Sequence, residues 1–134
     1  MLSNADIVTP NESELRVLLG LSPDDAANDE DLARQLALRG RNTVIVTQGE
    51  KGALIVNENS ALHVPTINVE VIDSTGAGDA FSAAIAVALG EGRPLLHAVQ
   101  WANCAGAMAC TKLGSIPAYA QRETIDQLWK KHYG

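Results

Sequence analysis

The chain is short of cysteine, of positive charge and of long apolar runs, and each shortage excludes something. It has two cysteines in 134 residues, Cys104 and Cys110. No Cys or His stands near them at zinc-finger spacing, so a structural zinc site is not expected. On one helix their separation leaves them on different faces, and they read as small, free core residues. Ten Lys and Arg against sixteen Asp and Glu give a formal net charge of −6. So acidic a chain is a poor general binder of nucleic acid or of membrane surfaces, and neither is expected as a partner. An anionic ligand must then be held by local N–H groups rather than by the overall field. The longest apolar stretch, Leu95 to Cys110, is interrupted by His97, Gln100 and Asn103. It is not a bilayer span. No signal pattern opens the chain, and a reduced, cytoplasmic location is expected. There is no internal repeat and no low-complexity linker.

What is present is enough apolar material for one folded domain, at 46% hydrophobic residues. The order of patterns predicts a strand at Ala5–Thr9, stopped by Pro10. Asn11 then caps a helix over Glu12–Leu19, with Glu12 and Glu14 in its first turn and Gly20 behind it. A second helix is expected over Asp29–Arg39, and a β-branched strand over Thr43–Thr47. Gln48–Gly52 turns into a strand at Ala53–Asn57, and a polar turn leads to another at Ala61–Val64. The alternation of Ile67–Ile72 predicts one more strand. Helices follow over Ala80–Leu89, about Leu95–Thr111 and Arg122–Lys131, with Lys112–Ala120 as a loop. Strands alternating with helices argue for an α/β fold, its sheet largely parallel with antiparallel pairing in the middle. Met1–Ala5 leads almost at once into a strand, which suggests the back half of a larger domain.

The run Asp73-Ser74-Thr75-Gly76-Ala77-Gly78-Asp79-Ala80-Phe81 carries the most chemistry. Read as strand, glycine loop and helix, it aims unpaired N–H groups at whatever sits before the helix. Three readings are open. In phosphoryl transfer, Gly76, Ala77 and Gly78 would donate to phosphate oxygens, and Asp79 would accept the proton of the attacking hydroxyl. An aspartate at that place has little reason to bind an anion. In a dinucleotide site, Gly76-x-Gly78 would hold a pyrophosphate. Phe81, however, stands where that fingerprint wants glycine, and no acid follows about 20 residues on. In the third reading, the loop is a turn before a helix capped by Asp. No Gly-Lys-Ser/Thr follows, so it is not a P-loop.

The other motifs each have a local reading beside a functional one. Thr47-Gln48-Gly49-Glu50-Lys51-Gly52 is either a hairpin turn or a backbone shelf against a nucleotide. Asn11-Glu12-Ser13-Glu14 is either a helix cap or an organiser of Mg²⁺-bound water and phosphate, a job for which one or two groups suffice. Asn103, in an otherwise small and apolar helix, is either a satisfied buried amide or a group facing a base. Trp101 and Met108 read as core. His63, His97 and His132 have no partner at ligand spacing and no assigned role.

Taken in order, these pieces resemble the ribokinase-like (PfkB) carbohydrate kinases. The matches are Thr9-Pro10-Asn11-x-x-Glu14, Thr47-x-Gly49-x-x-Gly52, the run from Asp73 to Phe81, Ala102-Asn103, and Lys112-x-Gly114-x-x-Pro117. The signature around Asp79 is highly specific, and the likeness covers essentially the whole chain. It implies the C-terminal portion of a three-layer α/β/α Rossmann-like fold, which transfers phosphate from ATP to a sugar hydroxyl. Asp79 would be the catalytic base, and Gly76, Ala77 and Gly78 the anion hole. Thr47, Gly49, Lys51, Gly52, Gly78 and Asn103 would line the ATP site, with Asn11 and Glu14 supporting Mg²⁺ and phosphate. Asp73, the carbonyl of Thr75, and carbonyls of Ala109, Lys112 and Gly114 would hold a monovalent cation, usually K⁺.

The resemblance also has departures. Ribokinases often carry a hydroxyl side chain where Ala118 stands, so the cation shell is expected one ligand short or completed by water. The family's sugar-binding and lid motifs have no counterpart here. Ribose is the default sugar, with deoxyribose, fructose or a nucleoside open. A homodimer is expected, because a sheet cut through its middle exposes apolar surface. The alternative function is a non-catalytic nucleotide-binding or interaction module.

Overall fold

A computed structural model describes residues 7–40, 43–73, 75–111 and 118–134. The chain divides into two compact units, one ending at Val64 and the other starting at Pro65.

The first unit is built on a sheet of order β1-β2-β3-β4. Its strands are β1 (Ile7–Val8), β2 (Thr43–Thr47), β3 (Ala53–Val56) and β4 (Ala61–Val64). Helices α1 (Glu12–Leu18) and α2 (Asp29–Leu38) lie between β1 and β2 in the chain. β1 runs parallel to β2, pairing Ile7 with Thr43 and Val8 with Val44. The other two pairings, β2–β3 and β3–β4, are antiparallel. The sheet is therefore mixed rather than largely parallel, and connection length gives the reason. Only the helical link from β1 to β2 is long enough for a parallel crossover, whereas 48–52 and 57–60 can close only hairpins. Of the strand expected at Ala5–Thr9, Ile7–Val8 forms; Ala5 and Asp6 lie outside the described residues.

Val44, Val46, Leu54 and Val56 meet Leu15, Leu32, Ala33, Leu36 and Ala37 in one core. The alternate residues Thr43, Ile45, Ala53 and Ile55 are buried as well. Burial on both faces explains why these strands read as unbroken apolar runs. Arg16 ties down the link between the two helices. Its guanidinium donates to the carbonyls of Glu12, Asp25 and Ala27 and to Asp29 Oδ1, all at 2.7–2.8 Å.

In the second unit, α3 (Ala77–Gly90) and α5 (Ala118–His132) both pack on α4 (Leu95–Ala109). α4 is buried from Trp101 through Met108. Trp101 Nε1 donates to Asp126 Oδ1 at 2.7 Å, and Trp129 Nε1 to Gln100 Oε1 at 3.1 Å, joining α4 to α5.

Three sequence expectations change here. Ile67–Ile72 forms no strand. Ile67 is buried, but Val71 and Ile72 are 58% and 64% exposed. Alternation makes a strand only where an edge is available to pair with. The N–H groups of Ile72 and Asp73 instead both donate to the Cys110 carbonyl, at 2.6 and 3.1 Å. α3 begins at Ala77, one turn before the expected Ala80. The third change is in α5, which takes in Ala118–Ala120, the end of the expected loop; 112–117 lie outside the described residues.

Candidate functional site

The glycine loop ends in a helix start that no side chain closes among the described residues. Gly76 is the N-cap of α3, in the left-handed region at φ 84°, and makes no side-chain cap bond. The first N–H to find an intrahelical carbonyl is that of Ala80, which bonds Gly76 O at 2.9 Å. The N–H groups of Ala77, Gly78 and Asp79 precede it in the unpaired first turn. Gly76 and Gly78 are exposed, and a Cβ built on either meets nothing within 4 Å among the described residues. That is open space bordered by backbone donors, at the positive end of a fourteen-residue helix.

Asp79 stands third in this helix and is exposed. Gly76 holds the cap position, so Asp79 is not the N-cap that the structural reading made it. Among the described residues its carboxylate makes no hydrogen bond and no ion pair. A carboxylate there offsets the helix dipole, and it is also free to accept a proton.

Asp73 precedes the loop. Its Oδ1 accepts the Thr75 N–H at 2.9 Å, and that bond holds its carboxyl below the usual carboxylate range. The two bonds to the Cys110 carbonyl set this stretch against the C-terminal end of α4, which closes with Ala109 and Cys110. The charge of Asp73 reaches the Cys110 thiol, whose pKa is raised first by burial and then by Asp73. Asp73 thus lies close to the carbonyl end of α4. Lys112 and Gly114 lie outside the described residues. No group of three His, Cys, Asp or Glu among the described residues could hold a metal ion.

In the first unit, Asn11 and Glu14 form a reciprocal capping box. Asn11 Oδ1 accepts from Glu14 N at 2.8 Å, and Glu14 Oε1 from Asn11 N at 2.9 Å. The cap uses one oxygen of each exposed side chain. Thr47 is brought beside them by a parallel bridge to Asn11, and its N–H donates to Pro10 O at 3.0 Å. Gly49 and Gly52 take φ 59° and 104°, as a G-x-x-G turn requires. This turn closes on itself, with Gln48 N bonded to Gly52 O at 2.9 Å and Gly52 N to Gly49 O at 3.1 Å. Lys51 is exposed, and its carbonyl accepts from the His63 ring at 2.7 Å. An open, mostly apolar groove of about 520 Å³ runs beside Glu14, lined also by Pro10, Ser13, Val17, Leu18 and Pro23.

Asn103 is buried. Its amide donates to Pro65 O at 3.4 Å and to the Tyr133 hydroxyl at 3.3 Å, and that hydroxyl donates to Pro65 O at 2.6 Å. Cys104 is also buried, its thiol pushed up to about 12 by burial, and so unreactive.

Sequence reasoning missed three features. Asp29 joins Arg16 to Gln48, accepting from Gln48 Nε2 at 2.9 Å, and so braces the G-x-x-G turn. The Cys110 carbonyl is a backbone group with no side-chain signal. Gly106 lies against the start of α3: a Cβ there would stand 3.3 Å from Ala77 O. A lone glycine inside an alanine-rich helix was its available signal.

Comparison with known proteins bears on this geometry. The model of the pfkB family carbohydrate kinases matches residues 1–122. A deoxyribokinase of Salmonella typhi is 34% identical over 122 residues, covering 91% of this chain and 40% of that protein. The crystal structure of a ribokinase from Thermotoga maritima superposes with a TM-score of 0.80 at 39% identity, over 93% of this chain and 42% of that one. An Arabidopsis thaliana ribokinase complexed with ribose and ATP gives 0.77 at 30% identity, over 93% and 41%. The chain thus spans about two-fifths of the length of these relatives. Its fold is the α/β ribokinase fold, and the chain belongs to the pfkB family of carbohydrate kinases.

Proposed function

We propose that this chain carries the phosphoryl-transfer centre of an ATP-dependent carbohydrate kinase. The observation that supports it most is Asp79, exposed and unpartnered among the described residues, in the first turn of a helix whose leading N–H groups are open. Asp79 takes the proton from the attacking sugar hydroxyl. The N–H groups from Gly76 to Gly78 meet the oxygens of the transferring phosphoryl group, where negative charge spreads in the transition state. Gly78 thereby serves both the anion hole and the nucleotide.

Thr47, Gly49, Lys51, Gly52 and Asn103 are the proposed nucleotide contacts. Thr47 stands beside Asn11 and Glu14, the pair proposed to support magnesium, whose charge neutralises the nucleotide's phosphates. Asp73, the Thr75 carbonyl and Ala109, with Lys112 and Gly114, are proposed to hold a potassium ion that fixes the loop. Activation by K⁺ over Na⁺ follows from this, and equal rates in the two salts would remove the Asp73 assignment.

Ribose is the first sugar to try, because a similar ribokinase was solved with ribose and ATP. Deoxyribose is the second, from the similar deoxyribokinase. A homodimer and a reduced cytoplasmic setting complete the reading. Among the described residues no helix is long and apolar enough to cross a membrane, and a tight monomer in sedimentation would remove the dimer.

The test is ATP consumption by the chain with Mg²⁺ and K⁺ against ribose, deoxyribose, fructose and adenosine, with Asp79→Asn in parallel. Sugar-dependent turnover that the substitution abolishes is the expected result. ATP binding without turnover of any acceptor would favour the non-catalytic nucleotide-binding module.

A further inference from the structure

The last turns of α4 touch the glycine loop from both ends. Ahead of the loop, the Cys110 carbonyl holds the N–H groups of Ile72 and Asp73. Behind it, Gly106 lies against the first turn of α3. A Cβ at Gly106 would stand 3.3 Å from the Ala77 carbonyl oxygen and 3.8 Å from Phe81 Cβ. The first distance is closer than side-chain carbons ordinarily come, so the Ala77 carbonyl would have to give way.

Glycine is a costly choice inside a helix. α4 carries alanine at 98, 102, 105, 107 and 109 and tolerates a methyl at each. Gly106 is its only glycine. The close approach to Ala77 accounts for the exception. The contact also has a direct chemical consequence. The Ala77 carbonyl and the Gly78 N–H belong to one planar peptide unit. Whatever moves the oxygen turns the N–H.

We propose that Gly106 is a positioning residue for phosphoryl transfer: the bare backbone of α4 at this point sets the direction of the Gly78 N–H through the Ala77 carbonyl. The inference rests on the reading of this loop as an anion hole. Gly106 touches no substrate, and its effect belongs to the transition state, where the direction of the donor matters most.

The test has two arms, so that failure of this inference and failure of the kinase reading look different. The first needs no catalysis. Amide spectra of ¹⁵N-labelled wild type and Gly106→Ala are compared. The expected shifts concentrate at Ala77 and Gly78, with Leu89 at the far end of α3 unmoved. Unchanged Ala77 and Gly78 amides would overturn the inference. The second arm is steady-state turnover. Gly106→Ala is expected to lower kcat about tenfold, with KM for ATP within about twofold. Unchanged kcat per folded molecule, or a loss carried by KM alone, would overturn it. If wild type does not turn over, the kinase reading of this chain fails and takes the catalytic half of the inference with it, and the first arm decides whether Gly106 sets the Gly78 N–H. If Gly106→Ala does not fold, the contact is read in wild type. A nuclear Overhauser effect between Gly106 Hα and Phe81 Hβ protons is expected, and its absence overturns the proposal.

Discussion

The two glycine motifs of this chain look alike in sequence and differ in what their backbones have left to give. The turn at 48–52 uses three of its donors internally: Gln48 bonds to Gly52, Lys51 to Gln48 and Gly52 to Gly49. Asp29, seated on Arg16, holds the Gln48 side chain as well. The loop at Gly76–Gly78 leaves the first N–H groups of α3 unpaired and borders open space. Both use glycine for positive φ, at 59° and 104° in one and 84° in the other. Positive φ is thus a conformational requirement that the motifs share. Anion-binding capacity depends on unspent donors, and the second motif has them at the start of a fourteen-residue α-helix, the first at a single 3-10 turn.

Substitution of the proposed base separates the motifs most strongly. Asp79→Asn is expected to cut turnover by on the order of 10²–10⁴-fold, the usual worth of a general base. Parallel substitutions at the glycines sharpen the contrast. Gly76→Ala and Gly49→Ala both force a side chain to positive φ and each costs roughly 1–2 kcal/mol of stability. Only Gly76→Ala is expected to lower kcat at fixed ATP affinity, by about tenfold, because only there is a proposed transition-state donor displaced. Equal kinetic losses at the two positions would collapse the distinction.

A third, smaller effect tests the brace behind the first turn. Asp29→Asn weakens the bond to Arg16 in a half-buried setting and should cost about 1–3 kcal/mol by urea unfolding. It should also flatten the acid limb of stability. Burial pushes the Asp29 carboxyl up, but hydrogen bonds from protonated Glu12, from Gln48 and from Arg16 outweigh it, leaving the group below its ordinary 3.8. A carboxyl lowered on folding stabilises above its unfolded value and loses that contribution as pH falls through its folded value. Wild type should therefore lose stability below about pH 3.8 more steeply than the variant. Identical slopes would mean that Asp29 does not titrate as described.

The sequence was most legible where side chains decide the outcome. The β-branched run at Thr43–Thr47 forms β2, the strands at Ala53 and Ala61 pair as hairpins, and Asn11 caps α1 through its side chain. It was least legible where backbone decides. Ile67–Ile72 alternates like a strand, yet its last N–H groups go to a helix-end carbonyl, which no pattern announces. α3 starts a turn earlier than the pattern predicts, because Gly-Ala-Gly has the propensity of a loop and packing against α4 overrides it. The mixed sheet could have been read from the two short connections. For the candidate site, the order of motifs pointed to the family that comparison then identified. Gly106 and the Cys110 carbonyl escaped notice because neither carries a side chain to the loop.

The most direct measurement titrates Mg-ATP into wild type and Asp79→Asn while following sugar-dependent ATP consumption in both. The account predicts equal ATP affinity in the two proteins, because the backbone donors at Gly76–Gly78 remain, together with loss of turnover in the variant alone. Near-normal turnover in Asp79→Asn would contradict the assignment of Asp79 as the base.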